Sequence, residues 1–193
     1  MHYLIYDLRH PQETELLPIN SLDATESAAY AQRGERYLLT RSLLKRELSR
    51  LSGIPAEDIR FTYTEHGKPE FAAQAFNLSH SADLLCLAFH HRAIGVDIQL
   101  MREPKRMHLI ARRIMCTEQW QAWQDRGCPT AEFFACWCAA EALVKLHGGT
   151  IWQASSFPFL YSHGRIIPRY DNAPQVETFI PAAGYCGAIS YLP

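Results

Sequence analysis

The chain lacks any apolar run approaching the roughly 20 residues of a bilayer span. Its opening, MHYLIYDLRH, meets polar side chains too early to read as a secretory signal. It also lacks a surplus of positive charge. Nineteen lysines and arginines stand against 20 acids, a formal net charge of −1, whereas nucleic-acid binders usually carry a basic excess. Among six cysteines, at 86, 116, 128, 136, 138 and 186, there is no C-x-x-C pair. Positions 136 and 138 are too close for an ordinary zinc half-site, so the cysteines read as mostly buried thiols of a reducing cytoplasm. No fixed-period repeat and no low-complexity linker divides the chain. Membrane, nucleic acid and secretion are therefore set aside as expectations, and a cytoplasmic protein is expected.

What is present is enough apolar material for a core: 48% of 193 residues are hydrophobic, sufficient for one large domain or two small ones. Residues 3–8 read as a strand. From Asp23 to Arg50, Tyr37, Leu38, Leu44 and Leu48 recur at helical spacing, and Gly53 and Pro55 end that helix. RFTYTEHGKPEF predicts two short strands about a His66-Gly67 turn. Residues 77–81 read as a loop leading into the strand LLCLAFHH, and AIGVDI returns as another. Helices are expected over 105–125 and 131–147, divided by Gly127-Cys128-Pro129. FPFLYSHGRIIPRY predicts a hairpin and GYCGAISYL a last strand. The order, helix then strands, occurs twice. The reading is an α+β fold of two similar halves, residues 1–100 and 101–193, each a small mostly antiparallel sheet with a long helix. Clefts between such halves commonly hold ligands.

Two acids stand out. Asp97 closes the apolar strand AIGVDI, with Gly95 permitting close backbone approach. It reads either as a strand-end aspartate bonded to backbone amides or as a metal ligand at a cleft. Glu141 is the only charge between Phe133 and Val144. On a helical wheel Phe133, Cys136, Trp137, Ala140, Leu143 and Val144 form a core face, and Glu141 and Lys145 share its edge one turn apart. These two could be an ordinary ion pair. Alternatively, a partly buried carboxylate wants a cation, and that cation could be Mg²⁺, which is often held by one or two carboxylates plus substrate phosphates.

Five segments, in order, resemble the 4′-phosphopantetheinyl transferase superfamily in its surfactin-synthetase-activating, holo-acyl-carrier-protein-synthase-like branch. They are Gly67-Lys68-Pro69, Asn77-Leu78-Ser79-His80-Ser81, Gly95-Val96-Asp97, Cys116-Thr117-Glu118 and the segment Trp137 to Lys145, which is similar to W-x-x-K-E-(A/S)-x-x-K. The resemblance implies an enzyme that moves phosphopantetheine from coenzyme A to a serine of an acyl or peptidyl carrier protein, releasing 3′,5′-ADP with Mg²⁺ as cofactor. It implies that Asp97 and Glu141 bind the metal and that Lys145 contacts a phosphate, with Glu141 as candidate base. Lys68, Ser79 and His80 would contact CoA, and Arg33 and Arg36 would hold its 3′-phosphate. The chain departs from the pattern twice. Ala140 stands where a lysine is usual, and Gln99 replaces a glutamate that is often a third metal ligand, although an amide oxygen can still coordinate. The alternative implied by these departures is a degenerate relative that binds CoA or carrier without catalysis. Arg102, Lys105, Arg106, Arg112 and Arg113 form a local basic cluster suited to an acidic carrier. With both halves in one chain, a monomer is expected.

Overall fold

The arginine-rich stretch after Asp23 forms two helices rather than one. Asp23 caps α1 (Ala24–Arg33) through a reciprocal capping box with Glu26, and α2 spans Glu35–Ser52. The break falls at Gly34, whose φ of +68° lies outside helical space. A computed structural model supplies these coordinates, and it describes residues 1–9, 16–102 and 104–193. Leu39, Leu43, Leu44 and Leu48 bury the inner face of α2 against Phe76, Leu85, Leu87 and Phe89 of the first sheet.

That sheet has the order β1-β5-β4, formed by His2–Asp7, Leu84–His90 and Ala75–Ser81, all antiparallel. The segment Asn77–Ser81, expected as a loop, is therefore the body of strand β4. Asn77, Ser79 and Ser81 fall on one side of the strand, paired inward, and Leu78 and His80 on the other. β2 (Thr62–Tyr63) and β3 (Pro69–Glu70) make the short expected hairpin.

The second sheet has the order β6-β10-β9, from Ile94–Leu100, Tyr185–Tyr191 and Gln175–Phe179. β6 ladders with β10, Cys186 opposite Gln99, although a division after residue 100 would leave it with the first half. β9 did not emerge from the sequence, because QVETF carries only weak alternation in a polar stretch. The expected helix over 105–125 is two, α3 (Met107–Ile114) and α4 (Thr117–Asp125), separated by extended backbone at Met115 and Cys116. α5 spans Thr130–Leu146, and β7 (Phe159–Ser162) pairs with β8 (Arg165–Pro168). Among the described residues, no helix is long and apolar enough to cross a membrane.

α5 is buried nearly all round, not on one face. Besides the expected residues, Phe134, Ala135, Cys138, Ala139, Ala142 and Leu146 are all inaccessible, because the helix lies between the second sheet and α3. Trp137, placed on the core face by the wheel, is only half-buried. All six cysteines are free thiols, three of them fully buried (Cys86, Cys136 and Cys138).

Gly95 decides how closely α5 meets β6. A Cβ there would lie 2.0 Å from the Ala142 carbonyl oxygen and 2.6 Å from the Leu146 nitrogen. The same carbonyl accepts the Ser190 hydroxyl at 2.8 Å, so it cannot easily retreat. Gly95→Ala is expected to cost about 3 kcal/mol and to lower the melting temperature by roughly 6–12 °C, which thermal unfolding followed by circular dichroism will measure.

Candidate active site

β6 presents Asp97 and Gln99 on one face, two residues apart. The Asp97 side chain is almost wholly buried, yet polar partners surround it. Its Oδ1 accepts the Ser79 hydroxyl at 2.7 Å and the Lys145 ammonium at 2.7 Å. Its Oδ2 accepts Gln99 Nε2 at 3.0 Å. Lys145 also donates to the Val96 carbonyl at 3.2 Å and to Ser79 Oγ at 3.3 Å. The ion pair of Lys145 thus runs between elements, to Asp97, and not along the helix to Glu141.

Glu141 is left half-buried at the junction of α5 and β6, with no hydrogen bond or ion pair among the described residues. Burial pushes its pKa above the ordinary carboxylate value. Lys145 works against that rise and the nearby charge of Asp97 adds to it. An uncompensated carboxylate beside a second carboxylate is a place where a cation lowers the free energy. Among the described residues, no group of three or more His, Cys, Asp and Glu gathers. The available donors are thus all oxygen: two carboxylates and the Gln99 amide. Asp97 Oδ2 accepts only one bond, so it keeps a lone pair for a further partner. Such a set suits a hard ion such as Mg²⁺ that retains water and takes substrate oxygens.

A second feature lies on the other side of β4. Arg33, Arg36, Tyr37, Thr40, Arg41, Leu78 and His80 line a cavity of about 330 Å³. Arg33 and Arg36 flank the Gly34 break, and Arg36 donates to the Ala82 carbonyl. Burial lowers the His80 pKa, and Arg36 and Lys145 lower it further, so its ring is mostly neutral at pH 7 and can donate from one nitrogen. Sequence reasoning missed Tyr37, Thr40 and Arg41. On α2, Thr40 and Arg41 follow Arg36 and Tyr37 by one turn and so share their helix face, a signal that could have found them. Behind the cavity, Glu26 is fully buried between Lys45 at 2.7 Å and Arg41 at 3.5 Å. Nη1 of Arg41 is buried without a hydrogen-bond partner among the described residues.

Lys68 stands apart from the arginines. Its ammonium donates to the Lys145 carbonyl at 2.8 Å, in the last turn of α5, where a cation also favours the helix dipole. Burial lowers its pKa. The structure thus gathers Asp97, Gln99, Lys145 and Ser79 in one cluster with Glu141 alongside, and Arg33, Arg36 and His80 in a second, with Lys68 at the helix end. Cys136 and Cys138 are disfavoured as nucleophiles: burial pushes both thiols up, so neither supplies much thiolate.

Residues 93–188 match the model of the 4′-phosphopantetheinyl transferase superfamily. The chain is 34% identical over 143 residues to the 4′-phosphopantetheinyl transferase AcpT of Escherichia coli, covering 70% of this chain and 69% of that one. It is 28% identical over 163 residues to the 4′-phosphopantetheinyl transferase Sfp of Bacillus subtilis, covering 80% and 72%. It is 29% identical over 133 residues to the 4′-phosphopantetheinyl transferase HetI of a Nostoc species, covering 63% and 55%.

Proposed function

Because the chain belongs to the 4′-phosphopantetheinyl transferase superfamily, we propose that it transfers phosphopantetheine from coenzyme A to a serine of an acyl or peptidyl carrier protein. One observation carries this reading most. Glu141 is a half-buried carboxylate with no ion pair among the described residues, near Asp97 where α5 meets β6.

In this reading Asp97, Glu141 and the Gln99 amide hold Mg²⁺. The ion, when bound, neutralises charge on the diphosphate and so favours its cleavage. The remaining work belongs to the chain. Arg33, Arg36 and His80 bind the 3′-phosphate of CoA in the basic cavity and thereby fix the position of the diphosphate. Lys145, in the last turn of α5 with its ammonium held on Asp97, contributes a positive charge that favours the departing 3′,5′-ADP. Lys68 contacts CoA and also steadies the end of α5. Glu141, through the carboxylate oxygen that the ion leaves free, takes the proton of the carrier serine hydroxyl. The serine oxygen bonds to the β-phosphorus as the bridge to the departing 3′,5′-ADP breaks. With both halves in one chain, a monomer completes the cleft, and CoA and carrier place the reaction in the cytoplasm.

The test is direct. The protein is incubated with CoA, Mg²⁺ and a panel of apo-carrier proteins, and the carriers are weighed by mass spectrometry. One carrier is expected to gain a single phosphopantetheine on serine, and the gain is lost with Asp97→Ala or Glu141→Ala. If CoA binds but no carrier gains mass, the transfer reading falls.

Docking falls to Arg102, Lys105, Arg106, Arg112 and Arg113, all exposed. They lie around α3, directly after β6, and Arg113 rests 4.1 Å over the ring of Trp152, itself 66% exposed. A basic surface on a chain of near-zero net charge fits an acidic carrier. Reversing Arg112 and Arg113 to glutamate is expected to lower kcat/KM for the carrier by about tenfold at low salt. The deficit should shrink as salt rises, with KM for CoA unchanged. Steady-state kinetics at two ionic strengths check this.

A further inference from the structure

The two sheets are not joined by a backbone ladder, yet β4 and β6 lie side by side and run in the same direction. Three N–H groups of β6 that face β4 find side chains in place of carbonyls. Val96 N donates to Asn77 Oδ1 at 3.0 Å, Ile98 N to Ser79 Oγ at 3.3 Å, and Leu100 N to Ser81 Oγ at 2.9 Å. Alternation along the strand turns the intervening Leu78 and His80 to the other side, where they line the basic cavity. One five-residue stretch therefore stitches two sheets with its odd members and lines a cavity with its even ones.

We propose that Asn77, Ser79 and Ser81 form a seam that positions β6 against β4, and that Ser79 acts on Asp97 instead of touching CoA. A serine hydroxyl offers one donor and two acceptor positions. Ser79 gives its proton to Asp97 Oδ1 at 2.7 Å, and accepts from Ile98 N at 3.3 Å and from Lys145 Nζ at 3.3 Å. All three positions are taken, and the residue is only 4% exposed. A phosphate oxygen, which can only accept, would have to win the one proton that Asp97 holds. Ser79 is thus a positioning residue. It fixes the rotamer of Asp97 and ties that side chain to the strand register set by its neighbours Asn77 and Ser81. Partners that orient a metal-binding carboxylate are commonly worth 10–100-fold in metal affinity. This inference rests on the role given to Asp97 above.

Two measurements judge it. Backbone amide exchange, followed by NMR on the full chain, needs no turnover. Ser79→Ala is expected to speed exchange at Ile98 by about tenfold, while Ser79→Thr, which restores a hydroxyl, returns it to the original rate. Calorimetric titration of Mn²⁺ into the CoA-saturated protein is expected to show affinity about tenfold weaker in Ser79→Ala. KM for CoA should stay within about twofold, and threonine should again restore the metal affinity. Unchanged exchange at Ile98 overturns the seam. A raised KM for CoA with unaltered Mn²⁺ affinity overturns the positioning role, because it would mean that the hydroxyl touches the substrate. If the parent chain itself takes up no Mn²⁺, the metal reading fails separately, and the exchange experiment still decides the seam.

Discussion

Glu141→Gln is expected to reduce transfer by about three orders of magnitude while raising the melting temperature. The loss follows from removing both a metal-binding charge and the proposed base, each of which commonly contributes 10²–10⁴-fold. The gain in stability follows from the environment of the carboxylate. Burial and the charge of Asp97 lift its pKa above the ordinary value near 4.5. A carboxylate whose pKa is raised on folding binds its proton more tightly in the folded chain. It therefore weakens the fold as pH climbs through its unfolded and then its folded pKa, and the full penalty is in force above the latter. Glutamine keeps the shape and abolishes the penalty. A rise of about 1–3 °C at pH 7 is expected, shrinking toward zero below pH 4, where both proteins carry a neutral side chain. Thermal melts of the two proteins between about pH 4 and pH 8 check the convergence. A melting temperature that falls at neutral pH would mean that Glu141 already has a cationic partner, and the argument for a metal there would lose its footing.

Asp97→Ala should lose transfer to the same degree, but with the opposite effect on stability. Its carboxylate receives Lys145, Ser79 and Gln99, and removing it strands an ammonium that is largely enclosed. Breaking a buried pair from one side costs about 3–5 kcal/mol. The Lys145 side chain keeps 27% of its exposure, so water recovers part of the loss and about 2–3 kcal/mol is expected. That corresponds to a fall of roughly 5–10 °C. Adding Lys145→Met should return about half of that loss, since the stranded charge goes with it. Urea unfolding of the parent, the two single variants and the double variant yields a coupling energy, expected between about 1 and 3 kcal/mol. A coupling near zero would separate Asp97 from Lys145 energetically despite their 2.7 Å contact.

Much of this was legible in the sequence, and the reasons for the rest are physical. The long apolar stretch ending in Lys145 declared a buried helix. It could not say that the helix is enclosed on every side, because periodicity reports one face and α5 has almost none that is wet. The motif around Gly95 announced close packing, and the glycine indeed faces backbone atoms of α5. Gly34 was read through, since one glycine inside a helical pattern costs only about 1 kcal/mol. Its positive φ depends on where α1 must go, which is a tertiary matter. Asn77–Ser81 resembled a loop because its polar residues are those of turns. Nothing local reveals that their side chains would substitute for a neighbouring strand. Glu141 and Lys145, one turn apart, looked as ready to pair with each other as with anything else. The choice of Asp97 was made by the approach of β6, which no helical wheel contains.

The buried trio behind the basic cavity has a consequence for how that cavity behaves. A single carboxylate, Glu26, answers two cations, Lys45 and Arg41, in a region closed to water. The imbalance is built into the wall and comes before any guest, and a guanidinium does not give up its proton in the physiological range. The electrostatic potential at the cavity mouth is therefore a standing one, positive even while His80 is neutral. A polyanion arriving from solution meets an attraction already in place, and its capture should vary little across neutral and mildly alkaline conditions.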